Sequence, residues 1–164
     1  MKKKILTALM AAMMIGGAAQ AMDSATLMET PARYSVLFAD ADRRIYADLD
    51  TVSAMQTMDY PGSIENVSFT LYAEVYKEHA DVFDFSRGDL IREIREFKVE
   101  LYADRRERHY GMKLTPVLVY NAKGDDITKD SGDFKLRASA KELYYNLAHV
   151  LHLGQDWDNE KTVS

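Results

Sequence analysis

The chain contains no cysteine. That absence removes disulfides, thiol nucleophiles, thiolate metal sites and a diacylglycerol-type lipid anchor together. Positive charge is also in deficit, with 21 Lys and Arg against 26 Asp and Glu. A nucleic-acid partner is not expected, because such binding needs a net basic footprint. Long apolar runs are missing except at the N-terminus, where residues 5–18 stop short of the roughly 20 residues that span a bilayer core. Catalytic signatures are absent too: no Gly-x-Ser-x-Gly elbow, no Ser-x-x-Lys, no His-Glu-x-x-His and no phosphate-cradling glycine loop occurs. None of the roles that make a catalytic site can be assigned, so the chain is expected not to be an enzyme and to need no cofactor or metal.

What is present begins with an address. Lys2, Lys3 and Lys4 form a positive head, Ile5 to Ile15 an apolar stretch, and Ala19-Gln20-Ala21 a small-x-small cleavage site before Met22. Residues 1–21 read as a cleaved export signal, which places the working protein in the periplasm or at the cell surface with no membrane span. Losing three lysines makes a chain of formal charge −5 more acidic still. The remainder, roughly 140 residues, suits one domain that can bury a core without covalent staples.

Residues 22–32 are small and polar and read as a flexible leader, with a single domain over 33–153 and a loose acidic tail over 154–164. Tyr34, Val36 and Phe38 alternate along a first strand; Asp40-Ala41-Asp42-Arg43 makes a turn into a second, Arg44 to Leu49. Asn66 to Lys77 alternates most cleanly. Val67, Phe69, Leu71, Ala73 and Val75 share one face, leaving Ser68, Thr70, Tyr72, Glu74 and Tyr76 on a wet one. A helical turn is expected near Asp89 to Ile94, then a strand through Phe97, Val99, Leu101 and Ala103. Separate strands follow over Glu107 to Lys113 and Thr115 to Tyr120, a turn at Asn121-Ala122-Lys123-Gly124, and a short strand over Asp126 to Lys129. Ser139-Ala140-Lys141-Glu142 is a capping box, and Ala140, Leu143, Leu147, Val150 and Leu151 form the apolar stripe of a closing helix. The order argues for an α+β fold: an antiparallel β-sheet of five or six strands with the C-terminal helix packed on one face.

A three-fold detail bears on function. Ile45-Tyr46-Ala47-Asp48, Leu71-Tyr72-Ala73-Glu74 and Leu101-Tyr102-Ala103-Asp104 share the order apolar, Tyr, Ala, acid. Strand alternation puts the alanines under the helix, leaving room for its close approach, and puts the tyrosine–acid pairs on the opposite, solvent-facing side. Tyr46, Tyr72 and Tyr102 are thereby candidate binding residues. Arg105, Arg106 and Arg108 are added as the densest basic cluster; with acids interleaved, it reads either as a solvated face or as a docking spot for an acidic partner or anionic glycan. Asp40, Asp42, Asp48 and Asp50 lack the glycine and closing glutamate of a calcium loop. His149 and His152 complement a helix C-terminus or face one way as a metal pair without a visible third ligand. His79 and His109 have no partner apparent in the sequence.

Four segments carry a family resemblance. They are Arg44 to Val52, Glu100 to Arg106, Val119 to Asp125 and Ser139 to Tyr144, and the chain in them resembles the surface-adhesin protein E family of small exported bacterial proteins. The resemblance implies an antiparallel sheet crossed by a C-terminal helix, homodimer formation, and adhesion to host matrix or serum proteins. This chain departs from the family in lacking its disulfide, its early tryptophan (Tyr34 stands there) and a lipid-attachment cysteine. The expected function is a non-enzymatic exported binding protein, adhesin-like, that offers a sheet face or an edge strand to a protein partner. The alternatives are a periplasmic envelope-housekeeping protein and a small-ligand carrier.

Overall fold

The computed structural model describes residues 22–56, 64–77, 90–104 and 107–151. The export signal over 1–21, His79, the Arg105–Arg106 pair, His152 and the acidic tail lie outside the described residues. The elements run α1 (Ser24–Glu29), β1 (Tyr34–Ala39), β2 (Arg43–Gln56), β3 (Ile64–Tyr76), β4 (Ile91–Asp104), β5 (His109–Tyr120) and α2 (Ala140–Val150), with a 3-10 turn at Thr128–Asp130. The strands form one antiparallel sheet, a meander in sequence order, β1-β2-β3-β4-β5. The fold is therefore α+β with five strands.

The alternation in β3 sets the main core. Val67, Phe69, Leu71 and Ala73 join Phe97, Val99, Leu101 and Ala103 of β4 and Leu143, Tyr144 and Leu147 of α2 in one buried cluster. Phe69, Leu101 and Leu143 thus share a core, as the patterns require. Ser139 caps α2 by accepting from the Glu142 amide at 3.3 Å. Phe134 closes the layer edge-on to Phe97, 5.5 Å between ring centroids.

How α2 reaches its place is less expected. Its backbone comes nearest to β1, β4 and β5, not to the central strands that carry Ala47 and Ala73. Asn146 Nδ2 donates to the Leu37 carbonyl of β1 at 2.7 Å, while the adjacent Tyr145 hydroxyl meets the Tyr110 hydroxyl of β5 at 2.9 Å. Two neighbouring residues of one helix therefore touch both outer strands. In a flat sheet those strands would stand about 19 Å apart, whereas a helix with side chains is about 10–12 Å across. With its backbone close to β1, β4 and β5 together, α2 lies in a trough of a curled sheet. Ala47 and Ala73 are buried on this side but stand on strands the helix does not approach most closely; of the three alanines, Ala103 on β4 is the one beside it.

Other expectations need correction. In β1 the alternation breaks at a bulge between Val36 and Phe38, so Tyr34 faces away from α2 whereas Leu37 and Phe38 pack towards it. The helical turn near Asp89 to Ile94 is not formed at Ile91 to Ile94, which pair with β3 as the start of β4. The two strands expected over 107–120 are one, with Pro116 absorbed where the register shifts against β4. The strand over Asp126 to Lys129 reduces to a single bridge, Tyr120 to Asp126, before the 3-10 turn. The Asn121–Gly124 turn forms as expected, Gly124 taking φ of 90°.

The largest correction concerns residues 22–32. They hold α1, capped by Asp23, whose carboxylate accepts from the Thr26 amide at 2.7 Å. Met22 and Leu27 are buried against Tyr34, Tyr46, Tyr72, Tyr76, Ile91, Ile94 and Tyr120 on the sheet face opposite α2. The segment is no free leader, because its apolar side chains cover an aromatic surface the sheet cannot leave wet.

The two cores fix an expected contrast in stability. Leu143→Ala should lower the unfolding free energy by about 2–5 kcal/mol, the usual cost of a leucine-sized cavity. Met55→Ala, at an exposed position, should change it by no more than about 0.5 kcal/mol. Urea unfolding followed by circular dichroism measures both; equal effects would contradict the assignment of the core.

Candidate functional site

The sheet face opposite α2 was the expected tyrosine-bearing binding surface, and the structure divides it in two. Tyr46 and Tyr72 stand opposite each other across β2 and β3, with only 1% and 8% of their surfaces exposed beneath α1. Tyr102 is 43% exposed and lies at the other end of the sheet, paired with Gly111 and beside the His109 ring at 6.1 Å. Arg108 is exposed in the β4–β5 turn with a left-handed φ of 52°; Arg105 and Arg106 are outside the described residues. The six candidates do not form one site. A tyrosine ring is large and mostly apolar, so its place on the polar half of an alternating strand does not keep it in water.

The acids paired with these tyrosines are engaged internally. Asp48 is buried and takes a bidentate bond from Arg33, at 2.9 Å to Nε and 2.8 Å to Nη2, which ties the turn before β1 to β2. Asp104 accepts from the Glu107 amide in the following turn. Asp40 accepts from the Asp42 and Arg43 amides, the ordinary work of an aspartate in a hairpin turn.

Glu74, expected as the solvent-facing acid beside Tyr72, lies in the interior instead. It is 1% exposed, and its carboxylate accepts from Ser24 Oγ at 2.8 Å, Tyr46 Oη at 3.2 Å and Tyr76 Oη at 3.4 Å. Arg44 reaches this group through Tyr46, Nη1 to Oη 3.5 Å. Burial pushes the Glu74 carboxyl above the ordinary carboxylate range, opposed by these hydrogen bonds and by the Arg44 charge. The Tyr46 hydroxyl is pushed up to about 12 by the same burial and by the neighbouring Glu74 charge. The arrangement is a satisfied polar network that pins α1 to the sheet. Ser24 preceding a strand by ten residues, with Glu74 on the polar side of β3, left no spacing signal to find.

The second feature is the edge of the sheet. β1 is short and bulged, and its Leu37 carbonyl is taken by Asn146. β5 is the last strand in the order. Its C-terminal end is covered: Val119 receives Ile127 N at its carbonyl and donates its own N–H to Thr128 Oγ1, both at 2.8 Å. Pro116, which has no donor, is tolerated with its nitrogen turned away from β4. Strand periodicity then turns the backbone groups of Leu114 and Met112 outward as well. An aromatic rim flanks this stretch, with Tyr110, Tyr144 and Tyr145 in mutual contact on the α2 side and Tyr102 with His109 on the other.

Among the described residues no group of three or more His, Cys, Asp or Glu side chains is placed to hold a metal ion, and no helix is long and apolar enough to cross a membrane. No protein-family model, curated protein or solved structure matches the chain. The likeness to the surface-adhesin protein E family rests on the four short segments alone.

The Glu74 network carries a pH dependence whose sign is fixed. A carboxyl raised in the folded protein contributes fully below its unfolded value, and that contribution is lost as pH rises through the folded value. Glu74→Gln, which keeps the shape, should match the parent near pH 4 and gain on it steadily towards pH 7 in parallel urea titrations. A difference that stayed flat with pH, or fell, would contradict a carboxyl held above its usual range.

Proposed function

We propose that this is an exported, non-enzymatic binding protein that works by strand addition at the outer edge of β5, its first partner being a second copy of itself. The observation that carries the reading is the asymmetry of the two edges: β1 is six residues long and bonded to α2 through Leu37, whereas β5 is twelve residues long and turns Met112 and Leu114 backbone groups outward beside a tyrosine rim. An edge of this kind is a template for another strand, and tyrosines are favoured contact residues beside it.

The register supports self-pairing. Antiparallel pairing about Met112 sets Tyr110 against Leu114 and Met112 against its twin on the α2 side, extending the partly buried apolar row that includes Tyr110, Met112 and Leu114. On the reverse side it sets Lys113 against Gly111 and His109 against Thr115, so no like charges meet head-on. The tyrosine-face version of the expectation narrows accordingly to Tyr102 alone, and the edge takes its place. Adhesion to a host protein would use the same rim and requires export to the cell surface; a purely periplasmic protein would use it for assembly.

Size-exclusion chromatography with light scattering on the exported protein at tens of micromolar should give a dimer. Met112→Lys, which opposes two ammonium groups at the two-fold axis, should give a monomer with an unchanged circular dichroism spectrum. A parent protein that runs as a monomer at that concentration sinks the proposal.

A further inference from the structure

We propose that a cleft between the β1–β2 hairpin and the start of α2 is a binding site for a free amino acid with an apolar side chain. The cleft measures about 340 Å³, at the lower end of the range for small-molecule sites. Phe38 and Ile45, partners across β1 and β2, line it from the sheet; Ala138 and Leu143 line it from the helix and its lead-in. Arg43, Arg137, Ser139 and Glu142 complete the lining. This inference is independent of pairing at β5.

Three observations argue for a ligand of that chemistry. First, the base is apolar. The β1 bulge turns Phe38 to the α2 side, where it packs with the cluster that holds Ile45 and Leu143. Second, the charges left at the mouth are one of each sign. Arg43 is already engaged, its guanidinium over the Phe38 ring at 5.4 Å and its Nε 3.4 Å from an Asp40 carboxylate oxygen. Arg137 and Glu142 are both exposed, and among the described residues neither side chain has a hydrogen-bond or ion-pair partner. Third, both walls are fixed before anything binds. Phe134 lies edge-on to Phe97, Arg95 Nη1 donates to the Lys135 carbonyl at 3.0 Å, and Ser139 caps α2, so the lead-in is held along its length. On the facing hairpin, Asp40 accepts the Asp42 and Arg43 amides. Groups held this way bind without a large ordering cost.

A simple anion in this cleft is opposed by Glu142 and a simple cation by Arg137, whereas a zwitterion is opposed by neither. The Arg137 guanidinium matches a carboxylate, and the Glu142 carboxylate accepts from an ammonium group. Ser139 Oγ accepts the Glu142 amide at 3.3 Å and keeps its own proton to donate, beside the positive end of α2. The carboxylate of the ligand therefore belongs at Arg137 and Ser139, its ammonium at Glu142, and its side chain on Phe38, Ile45 and Leu143.

The test uses the ¹⁵N-labelled exported protein with L-phenylalanine as the probe. Its addition should shift the Ala138 and Ser139 amide resonances saturably. Phenylpropionate lacks the ammonium, phenylethylamine the carboxylate and glycine the side chain; each should bind at least about tenfold more weakly, the usual size of one lost charge-assisted pair or apolar contact. Arg137→Gln should weaken phenylalanine about tenfold and leave phenylethylamine no weaker, whereas Glu142→Gln should weaken phenylalanine and leave phenylpropionate no weaker. That crossed pattern separates a lost contact from a lost fold, and if Glu142→Gln frays α2, Arg137→Gln decides alone. The proposal is overturned if phenylalanine leaves both amides unmoved at about 10 mM, if any of the three analogues binds as tightly, or if Arg137→Gln binds phenylalanine like the parent.

Discussion

Everything in this molecule follows from α2 reaching both outer strands at once. Asn146 holds the β1 backbone and Tyr145 holds Tyr110 of β5, and the helix backbone lies close to β1, β4 and β5 together. Curling lets a short helix seal a five-stranded face, with Leu143, Tyr144 and Leu147 filling the trough. Right-handed twist gives strands a natural bias towards such coiling. The bulges in β1 and β5 sharpen it locally at the two edges.

Curling has a counterpart on the outside. The convex face carries Tyr34, Tyr46, Tyr72, Tyr76 and Tyr120, too much aromatic surface for water alone, and the six residues of α1 with Met22 and Leu27 cover part of it. β3 is consequently buried on both faces over Leu71 to Glu74, an arrangement more usual for a parallel sheet. Covering that face traps a carboxylate, and the Ser24, Tyr46 and Tyr76 hydroxyls satisfy it. Without those three donors, the burial of Glu74 would cost far more than α1's short apolar contact returns.

Much of the α2 side was legible from residue order. Strict alternation in β3, the capping box at Ser139 and the stripe through Leu143 and Leu147 each obey one local rule, and each element formed. The convex side was not legible, because alternation separates polar from apolar and tyrosine belongs to both. Tyr46 and Tyr72 therefore looked like a wet face although they lie beneath α1. α1 itself is too short to show helical periodicity, and its one strong cue, the Asp23 cap, is common in loops. The bulge at Leu37 shifted half of β1 to the other side, which no pattern of period two can signal. Of the candidate site residues, Tyr102 was read rightly as exposed, and the Glu74 network was missed because a buried acid resembles a surface one in sequence.

Asymmetric edges also govern stoichiometry. A chain with two sticky rims can grow without limit, each addition exposing a fresh rim, as fibrils do. Here one rim is capped by its own helix, bulged and only six residues long, while Pro116 and the bonds at Val119 shorten the other. In the proposed dimer, union through the remaining stretch would consume it on both molecules about a two-fold axis and leave nothing to propagate from. In a chain without cysteine, that one-sidedness is what would keep the proposed assembly finite.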